Sequence, residues 1–154
     1  MSPSDATATA LKTWVVLARA QEALTELARK DVARHGLTLG EFGVLEALHH
    51  GGPMKLGEVQ RKLLVSSGGV TWLVNRLTER RLTERVPCPD DRRATFVGLT
   101  AQGEALIARV FPEHAEMIRR AMGALSMREQ QQLGALLKQL GHAAAGETAE
   151  QGQD

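Results

Sequence analysis

Residues 64–103 read LVSSGGVTWLVNRLTERRLTERVPCPDDRRATFVGLTAQG. The first part of this stretch places four apolar residues on one face of a helix: Val70, Leu73, Val74 and Leu77. Ser66 or Ser67 is suited to cap that helix at its N-terminus. A similar apolar pattern comes just before it, at Leu56, Val59 and Leu63. Two short amphipathic helices joined by a turn of three or four residues are typical of a helix-turn-helix motif.

A β-hairpin is predicted directly after the second of these helices. Residues 82–87 and 95–99 form two short segments, and Val97 and Leu99 alternate with other side chains in the second. The polar residues 89–93 separate the segments and predict a charged hairpin tip. A helix-turn-helix followed by such a hairpin predicts a winged helix-turn-helix lobe over residues 38–99.

Helical patterns flank this lobe on both sides. Residues 8–35 carry a broad apolar stripe, and a long helix after the hairpin has apolar residues at alternating spacings of three and four. This heptad-like seam consists of Ile107, Val110, His114, Met117, Ala121 and Ala124. Pro112 lies inside the long helix and is expected to kink it rather than end it. Capping residues mark the helix starts at Thr38 with Glu41, at Thr100, and at Ser126 with Glu129.

Length and composition favour one mainly helical domain over residues 1–154. The chain is 43% hydrophobic and only 3% aromatic, with one cysteine. That composition favours helices, provides a core and excludes an internal disulfide. No signal pattern and no membrane-spanning apolar run is present, so a cytoplasmic protein without membrane contact is expected. The small, polar ends, residues 1–6 and 146–154, are expected to be flexible tails.

Positive charge is concentrated in the predicted lobe. Residues 55–93 contain nine Lys or Arg and five Asp or Glu, a net charge of +4, whereas the whole chain carries +1. A basic segment on a slightly acidic body is typical of a protein that binds nucleic acid through one surface. A solvated charged face is the other interpretation of the same pattern.

The stretch 64–103 resembles the recognition helix, the wing and the following helix of the MarR family of transcription regulators. Its most specific element is Asp91-Arg92-Arg93-Ala94 at the hairpin tip, followed at the family's spacing by Leu99-Thr100 and Gly103. The resemblance implies a homodimer in which residues 8–35 and 100–145 form a helical dimerisation region. The expected fold is therefore mainly α, with a small β-hairpin wing and a winged helix-turn-helix domain.

Two features bear on specificity within that family. Residues 42–48, 52–53 and 86–89 are similar to regulators that respond to quinones or catechols. In the recognition helix, Trp72 stands where the family often has a basic residue, and glycines occupy positions 68 and 69. The sequence therefore does not predict which DNA bases the recognition helix prefers.

The second helix of the motif is expected to enter the major groove of double-stranded DNA. The candidate contacts on its outward face are Ser66, Ser67, Thr71, Trp72, Asn75 and Arg76. At the wing, Arg93 is suited to the narrow minor groove, with Asp91 orienting it, and Arg92 is suited to a phosphate. The alternatives are a capping serine, a packing tryptophan, solvated arginines and an acidic turn.

A small aromatic effector is implied by the resemblance, at the junction of the dimerisation helices and the lobe. The candidate lining residues are Trp14, Phe42, Leu45, His49, Phe111 and His114. Histidine nitrogens at His49 and His114 can hydrogen-bond a phenol. Apolar residues at helical spacing are equally consistent with an ordinary core.

Cys88 is a redox candidate because Arg85, Arg92 and Arg93 are near it in sequence and favour its thiolate. A quinone adduct there would alter the hairpin. The alternative is a small buried apolar side chain.

Other functional classes have little support. The five histidines are scattered, and no nucleophile triad, phosphate loop or Cys-x-x-Cys pattern appears, so neither an enzyme nor a cofactor is expected. A metal sensor using His49 and His50 is disfavoured, because adjacent histidines are expected to point apart on a helix. The prediction is a repressor released from a near-palindromic operator by a phenolic or quinone-like effector. The alternatives are a winged-helix protein-interaction module and a metal- or redox-sensing regulator.

Overall fold

The computed structural model describes residues 3–63, 69–88, 90–91 and 95–151. Its elements follow the order α1 (Pro3–Ala33), α2 (Leu39–Gly51), α3 (Leu56–Lys62), α4 (Val70–Glu79), β1 (Thr83–Pro87), β2 (Thr95–Leu99), α5 (Ala101–Met122) and α6 (Met127–Gln151). The predicted fold class, helices with one hairpin, is confirmed. The chain forms two compact units, Met1–Met117 and Ile118–Asp154.

The core of the first unit lies between α2, α3, α4, the hairpin and the first half of α5. Its fully buried side chains include Val44, Leu45, Val59, Val74, Leu77, Val97, Ile107 and Val110. The predicted seam of α5 is thus divided, because Ile107 and Val110 pack inside this core and are not available to a second chain. The expectation that the whole seam from Ile107 onward serves dimerisation is wrong for this first part.

Predicted capping residues stabilise the starts of α2 and α5. At α2, Thr38 Oγ1 accepts a hydrogen bond from Glu41 N at 3.1 Å, and Glu41 Oε2 accepts one from Thr38 N at 2.8 Å. This is the reciprocal capping box expected from the spacing. Gly103 N donates to Thr100 Oγ1 at 3.0 Å at the start of α5. Residues within one helical turn were sufficient to predict both caps.

The hairpin is antiparallel, with Thr83 opposite Leu99 and Pro87 opposite Thr95. Met54, between α2 and α3, extends it by an isolated bridge to Val97, with reciprocal backbone hydrogen bonds of 3.0 and 2.9 Å. The buried Val97 side chain anchors β2 to the core. These contacts hold the base of the hairpin beside the helix-turn-helix.

Three helix boundaries differ from the prediction. Helix α4 begins at Val70 with Gly69 as N-cap, where φ is 154°, a value that glycine adopts at little cost, whereas a serine cap was predicted. Ser66 and Ser67 lie outside the described residues. Helix α1 already begins at Pro3, and α6 continues to Gln151. Both segments were expected to be irregular tails. Proline suits a first helical position, Asp5 suits a first turn, and the alanines before Gln151 favour helix.

Two helices expose apolar side chains along much of their length. On α1 these are Leu11, Trp14, Val15, Val16, Leu24 and Leu27, and on α6 they are Met127, Leu133, Leu136, Leu137 and Leu140. An isolated helix is only marginally stable in water and is normally stabilised by packing of its apolar face. Extended apolar faces such as these are normally covered by other apolar surface. Among the described residues, no helix is long and apolar enough to cross a membrane.

Candidate nucleic-acid interface

Helix α4 has one buried and one exposed face. Val70, Leu73, Val74 and Leu77 are buried against the core. The opposite face exposes Thr71, Trp72, Asn75 and Arg76, four of the predicted DNA contacts. Trp72 is 60% exposed, which is unusual for so large an apolar residue that serves only packing. The helix therefore presents hydroxyl, aromatic, amide and guanidinium groups on one outward surface.

Trp72 and Arg76 form a pair on this surface. They are one turn apart, and the Arg76 guanidinium carbon lies 5.4 Å from the centroid of the Trp72 ring, within cation–π range. Arg76 Nε also donates to Glu41 Oε1 at 2.8 Å. Arg76 is therefore held from two sides and is not simply a solvated arginine.

The carboxylate that accepts the hydrogen bond from Arg76 belongs to Glu41, which the sequence predicted only as a capping residue. Glu41 is only 1% exposed, and Arg80 Nη1 also donates to its Oε1 at 3.1 Å. Burial alone would raise the pKa of Glu41, but hydrogen bonds from Thr38 N, Arg76 and Arg80 outweigh burial and hold its pKa below the ordinary value. The carboxylate therefore stays charged beneath α4.

The remaining predicted DNA contacts divide by position in the chain. Ser66, Ser67, Arg92 and Arg93 lie outside the described residues. Asp91 is described and exposed at the hairpin tip. Cys88, the residue after β1, is half-buried. The hairpin base that carries this tip is fixed by the β1–β2 register.

Most of the predicted effector-lining residues lie in one cluster. The rings of Phe42 and His114 are 4.5 Å apart, and those of His49 and Phe111 are 6.3 Å apart. Leu45, one turn after Phe42, is fully buried. Helices α2 and α5 thus bring five of the six residues into neighbouring positions.

Trp14 is not part of this cluster within one chain. Asp31, which contacts His114, lies seventeen residues further along α1, about 25 Å along the helix axis at 1.5 Å per residue. Trp14 is instead 70% exposed, beside a shallow groove whose lining residues all belong to α1.

Carboxylates hold the histidines of the cluster. His114 Nδ1 is 2.9 Å from Asp31 Oδ2, and His49 Nδ1 is 2.7 Å from Glu104 Oε1. Asp31 also accepts a hydrogen bond from Arg34. Burial would raise the pKa of Asp31, but the hydrogen bonds from His114 and Arg34 hold it below the ordinary value.

His49 and His50 do not point apart, contrary to expectation. Their ring centroids are 5.1 Å apart, and His50 also meets the edge of Phe111 at 4.7 Å. The two side chains converge because both pack toward α5. No group of three potential metal ligands is found in the part of the chain that the structure describes.

The fold and the exposed face of α4 define a winged helix-turn-helix protein. The sequence profile of the MarR family matches residues 35–94. The HTH-type transcriptional regulator MhqR of Bacillus subtilis (strain 168) is 37% identical over 131 residues, which cover 85% of this chain and 90% of MhqR. The chain belongs to the MarR family. It is a DNA-binding transcription regulator and not an enzyme.

Solved structures share this architecture. Sco3205, a MarR family transcriptional regulator from Streptomyces coelicolor in complex with DNA, matches with a TM-score of 0.79 and 22% identity over 88% of each chain. Bordetella bronchiseptica BpsR, described with a mechanism for regulation of its DNA binding by 6-hydroxynicotinic acid, matches with a TM-score of 0.73 and 26% identity. That match covers 84% of this chain and 98% of BpsR.

Proposed function

We propose that this regulator is a homodimeric repressor that is released from a near-palindromic operator by a small phenolic or quinone-like effector. The observation that carries the proposal is the outward face of α4, where Thr71, Trp72, Asn75 and Arg76 are exposed together above a buried apolar face. That face fits the major groove, whose base edges carry a distinct pattern of donors, acceptors and methyl groups.

Dimerisation is supported by the apolar faces of α1 and α6. Each exposes large aliphatic or aromatic side chains that one chain leaves in contact with water. A two-fold dimer presents two copies of α4, so the operator is expected to contain half-sites about one helical turn apart.

The wing is assigned the role predicted from its sequence. Arg93 enters the minor groove with Asp91 orienting it, and Arg92 binds a phosphate. The register of the two strands and the burial of Val97 support this assignment because they hold the base of the hairpin beside the helix-turn-helix.

The effector is proposed to bind beside Phe42, Phe111 and the two carboxylate-held histidines. Aromatic rings in mutual contact suit a planar ligand, and the Nδ1 atoms of His49 and His114 are already held by Glu104 and Asp31. A phenol oxygen would therefore be bound through Nε2. Regulation of BpsR by 6-hydroxynicotinic acid, a hydroxylated aromatic acid, supports the same class of effector here.

The test is binding of the purified protein to DNA upstream of its own gene, at physiological salt, with and without phenols, catechols and quinones. We expect tight binding that one of these classes weakens, and a reporter on that DNA that rises when the protein is removed. A protein-interaction module would instead bind this DNA no better than unrelated DNA, with equal affinity across sequences.

Two variants separate the effector mechanisms. Phe111→Leu is expected to keep DNA binding and lose release by a reversibly bound phenol, because the ring contact with His49 is removed. Cys88→Ser keeps that response. If a quinone acts instead by addition of the Cys88 thiol across its ring, giving a thioether-linked hydroquinone, Cys88→Ser alone loses the response and mass spectrometry of the parent shows the adduct.

A further inference from the structure

The buried carboxylate of Glu41 is shared between two helices. Its Oε2 accepts from Thr38 N at 2.8 Å and so belongs to the cap of α2. Its Oε1 accepts from Arg76 at 2.8 Å and from Arg80 at 3.1 Å, at the C-terminal end of α4. A capping box needs only the first of these contacts. The contacts with Arg76 and Arg80 connect α4 to a buried negative charge.

The geometry leaves Arg76 partly available to a ligand. A guanidinium group has five N–H donors, and Glu41 receives the one on Nε. The Arg76 side chain is 49% exposed, and its guanidinium lies over the Trp72 ring. The terminal amino groups are therefore able to donate to a base or a phosphate while Nε stays bound to Glu41.

Fixing these side chains before binding favours a specific complex. Arginine loses much rotamer freedom when it is held in one position, and that loss weakens binding if it occurs only in the complex. Glu41 imposes the position in the free protein, since its charge attracts two guanidinium groups that would otherwise repel each other. Arg76 in turn limits the orientations of the exposed Trp72 indole.

We infer that Glu41 is a positioning residue for DNA recognition: from beneath α4 it sets the conformation in which Arg76 and Trp72 meet the operator bases. This inference rests on the proposed contact between the outward face of α4 and the major groove. It gives α2 a role in sequence discrimination although Glu41 itself is buried and touches no DNA.

The first test compares operator and unrelated DNA. In Glu41→Gln the amide can still accept from Thr38 N, but the charge that holds Arg76 and Arg80 is removed. We expect the ratio of operator to unrelated affinity to fall about tenfold, the scale of one good base contact, without loss of affinity for unrelated DNA. Glu46→Gln removes the same charge from the same helix and is expected to leave the ratio unchanged.

The second test needs no DNA. The chain has two tryptophans, so Trp14 and Trp72 give two indole N–H resonances, and the loss of one of them in Trp72→Phe assigns both. We expect Glu41→Gln to shift the Trp72 resonance and leave that of Trp14 in place. Arg76→Gln is expected to shift the same resonance, and Glu41→Gln added to Arg76→Gln is expected to lower the affinity ratio little further.

Different results would contradict the positioning role of Glu41 and the contact between α4 and the operator bases. An unmoved Trp72 resonance in Glu41→Gln, or equal weakening on operator and unrelated DNA, overturns the role of Glu41. If Trp72→Phe and Arg76→Gln bind the operator as tightly as the parent, the proposed reading of bases by α4 is wrong. A lowered melting temperature with an unchanged affinity ratio identifies Glu41 as structural only and overturns the inference.

Discussion

Gly103 shows how one residue fixes the junction between the hairpin and α5. A Cβ atom at this position would lie 1.9 Å from the backbone oxygen of Leu82, so only glycine fits. Thr100 Oγ1 donates to Arg81 O at 2.6 Å and accepts from Gly103 N, which locks the same junction. The family spacing of Leu99-Thr100 and Gly103 therefore has a steric and a hydrogen-bonding cause.

Gly103→Ala is expected to lower the free energy of unfolding by about 2 kcal/mol or more, because the backbone of Leu82 must move to admit the methyl group. Urea unfolding followed by circular dichroism measures the change. Gly57→Ala is the control, since nothing lies within 4 Å of its added Cβ, and a gain of about 0.5 kcal/mol is expected for alanine in a helix. Equal stability of the two variants would contradict the packing described for Gly103.

Asp31 gives a prediction for pH dependence at the same scale. Its pKa is held below the ordinary value by His114 and Arg34 against the effect of burial. A carboxyl group with a lowered pKa in the folded state stabilises the protein above its unfolded pKa, and this contribution is lost as pH falls through the folded pKa. Asp31→Asn is therefore expected to cost about 2 kcal/mol at pH 7, the scale of hydrogen bonds to a charged group.

The cost of Asp31→Asn should shrink as the pH is lowered below about 4, the ordinary range of an aspartate. Urea unfolding of parent and variant from pH 7 to pH 3 measures it. Glu22→Gln, on the exposed face of α1, serves as the control and is expected to change stability little at any of these pH values. A constant difference between parent and Asp31→Asn across the range would refute the linkage.

At the scale of elements, the features that could be predicted from the sequence depend on residues that are close together along the chain. The capping box of Thr38 and Glu41 lies within one turn, and the hairpin follows from alternation and a polar tip. The bond from Arg76 to Glu41 joins residues 35 positions apart, and nothing local indicates that α2 and α4 pack in that register. The division of the α5 seam was missed for the same reason, since one apolar pattern serves an internal core and an external face equally well.

The wing is the element whose contribution to DNA binding is most directly measured. Arg93→Ala is expected to weaken operator binding and to reduce the slope of log affinity against log salt by about one, because one cation no longer displaces counterions. Fluorescence anisotropy at several salt concentrations gives both values. Arg29→Ala is the matched control, as Arg29 lies on α1 and pairs with Glu26 on the same helix. An unchanged slope for Arg93→Ala would show that the wing does not contribute this contact to the DNA interface.

At the scale of the whole molecule, the distribution of apolar surface separates two tasks. The lobe that carries α4 and the hairpin buries its apolar residues within one chain, and Trp72 is its exposed large apolar side chain among the described residues. Helices α1 and α6 instead expose large apolar side chains along much of their length. A lobe whose apolar core is buried within one chain, together with helices that expose apolar side chains, suits a protein whose affinity for DNA depends on pairing two lobes.

Leu136→Lys tests that dependence, because Leu136 is 64% exposed on the apolar stripe of α6. A charge in the centre of the proposed apolar interface is not compensated, so we expect sedimentation at micromolar concentration to show monomers of 16.7 kDa for the variant and a dimer for the parent. A monomer has one copy of α4 and loses the gain from binding two linked half-sites, so operator affinity should fall by at least 100-fold.

Gln131→Lys provides the control for the same helix. Gln131 lies on the side of α6 opposite the stripe of Leu133, Leu136, Leu137 and Leu140, so its substitution adds the same charge without entering the proposed interface. This variant should remain dimeric and bind the operator like the parent. A dimeric Leu136→Lys would place the interface elsewhere, whereas a monomeric variant with undiminished operator affinity would show that one copy of α4 is sufficient and that the paired lobes are not the basis of recognition.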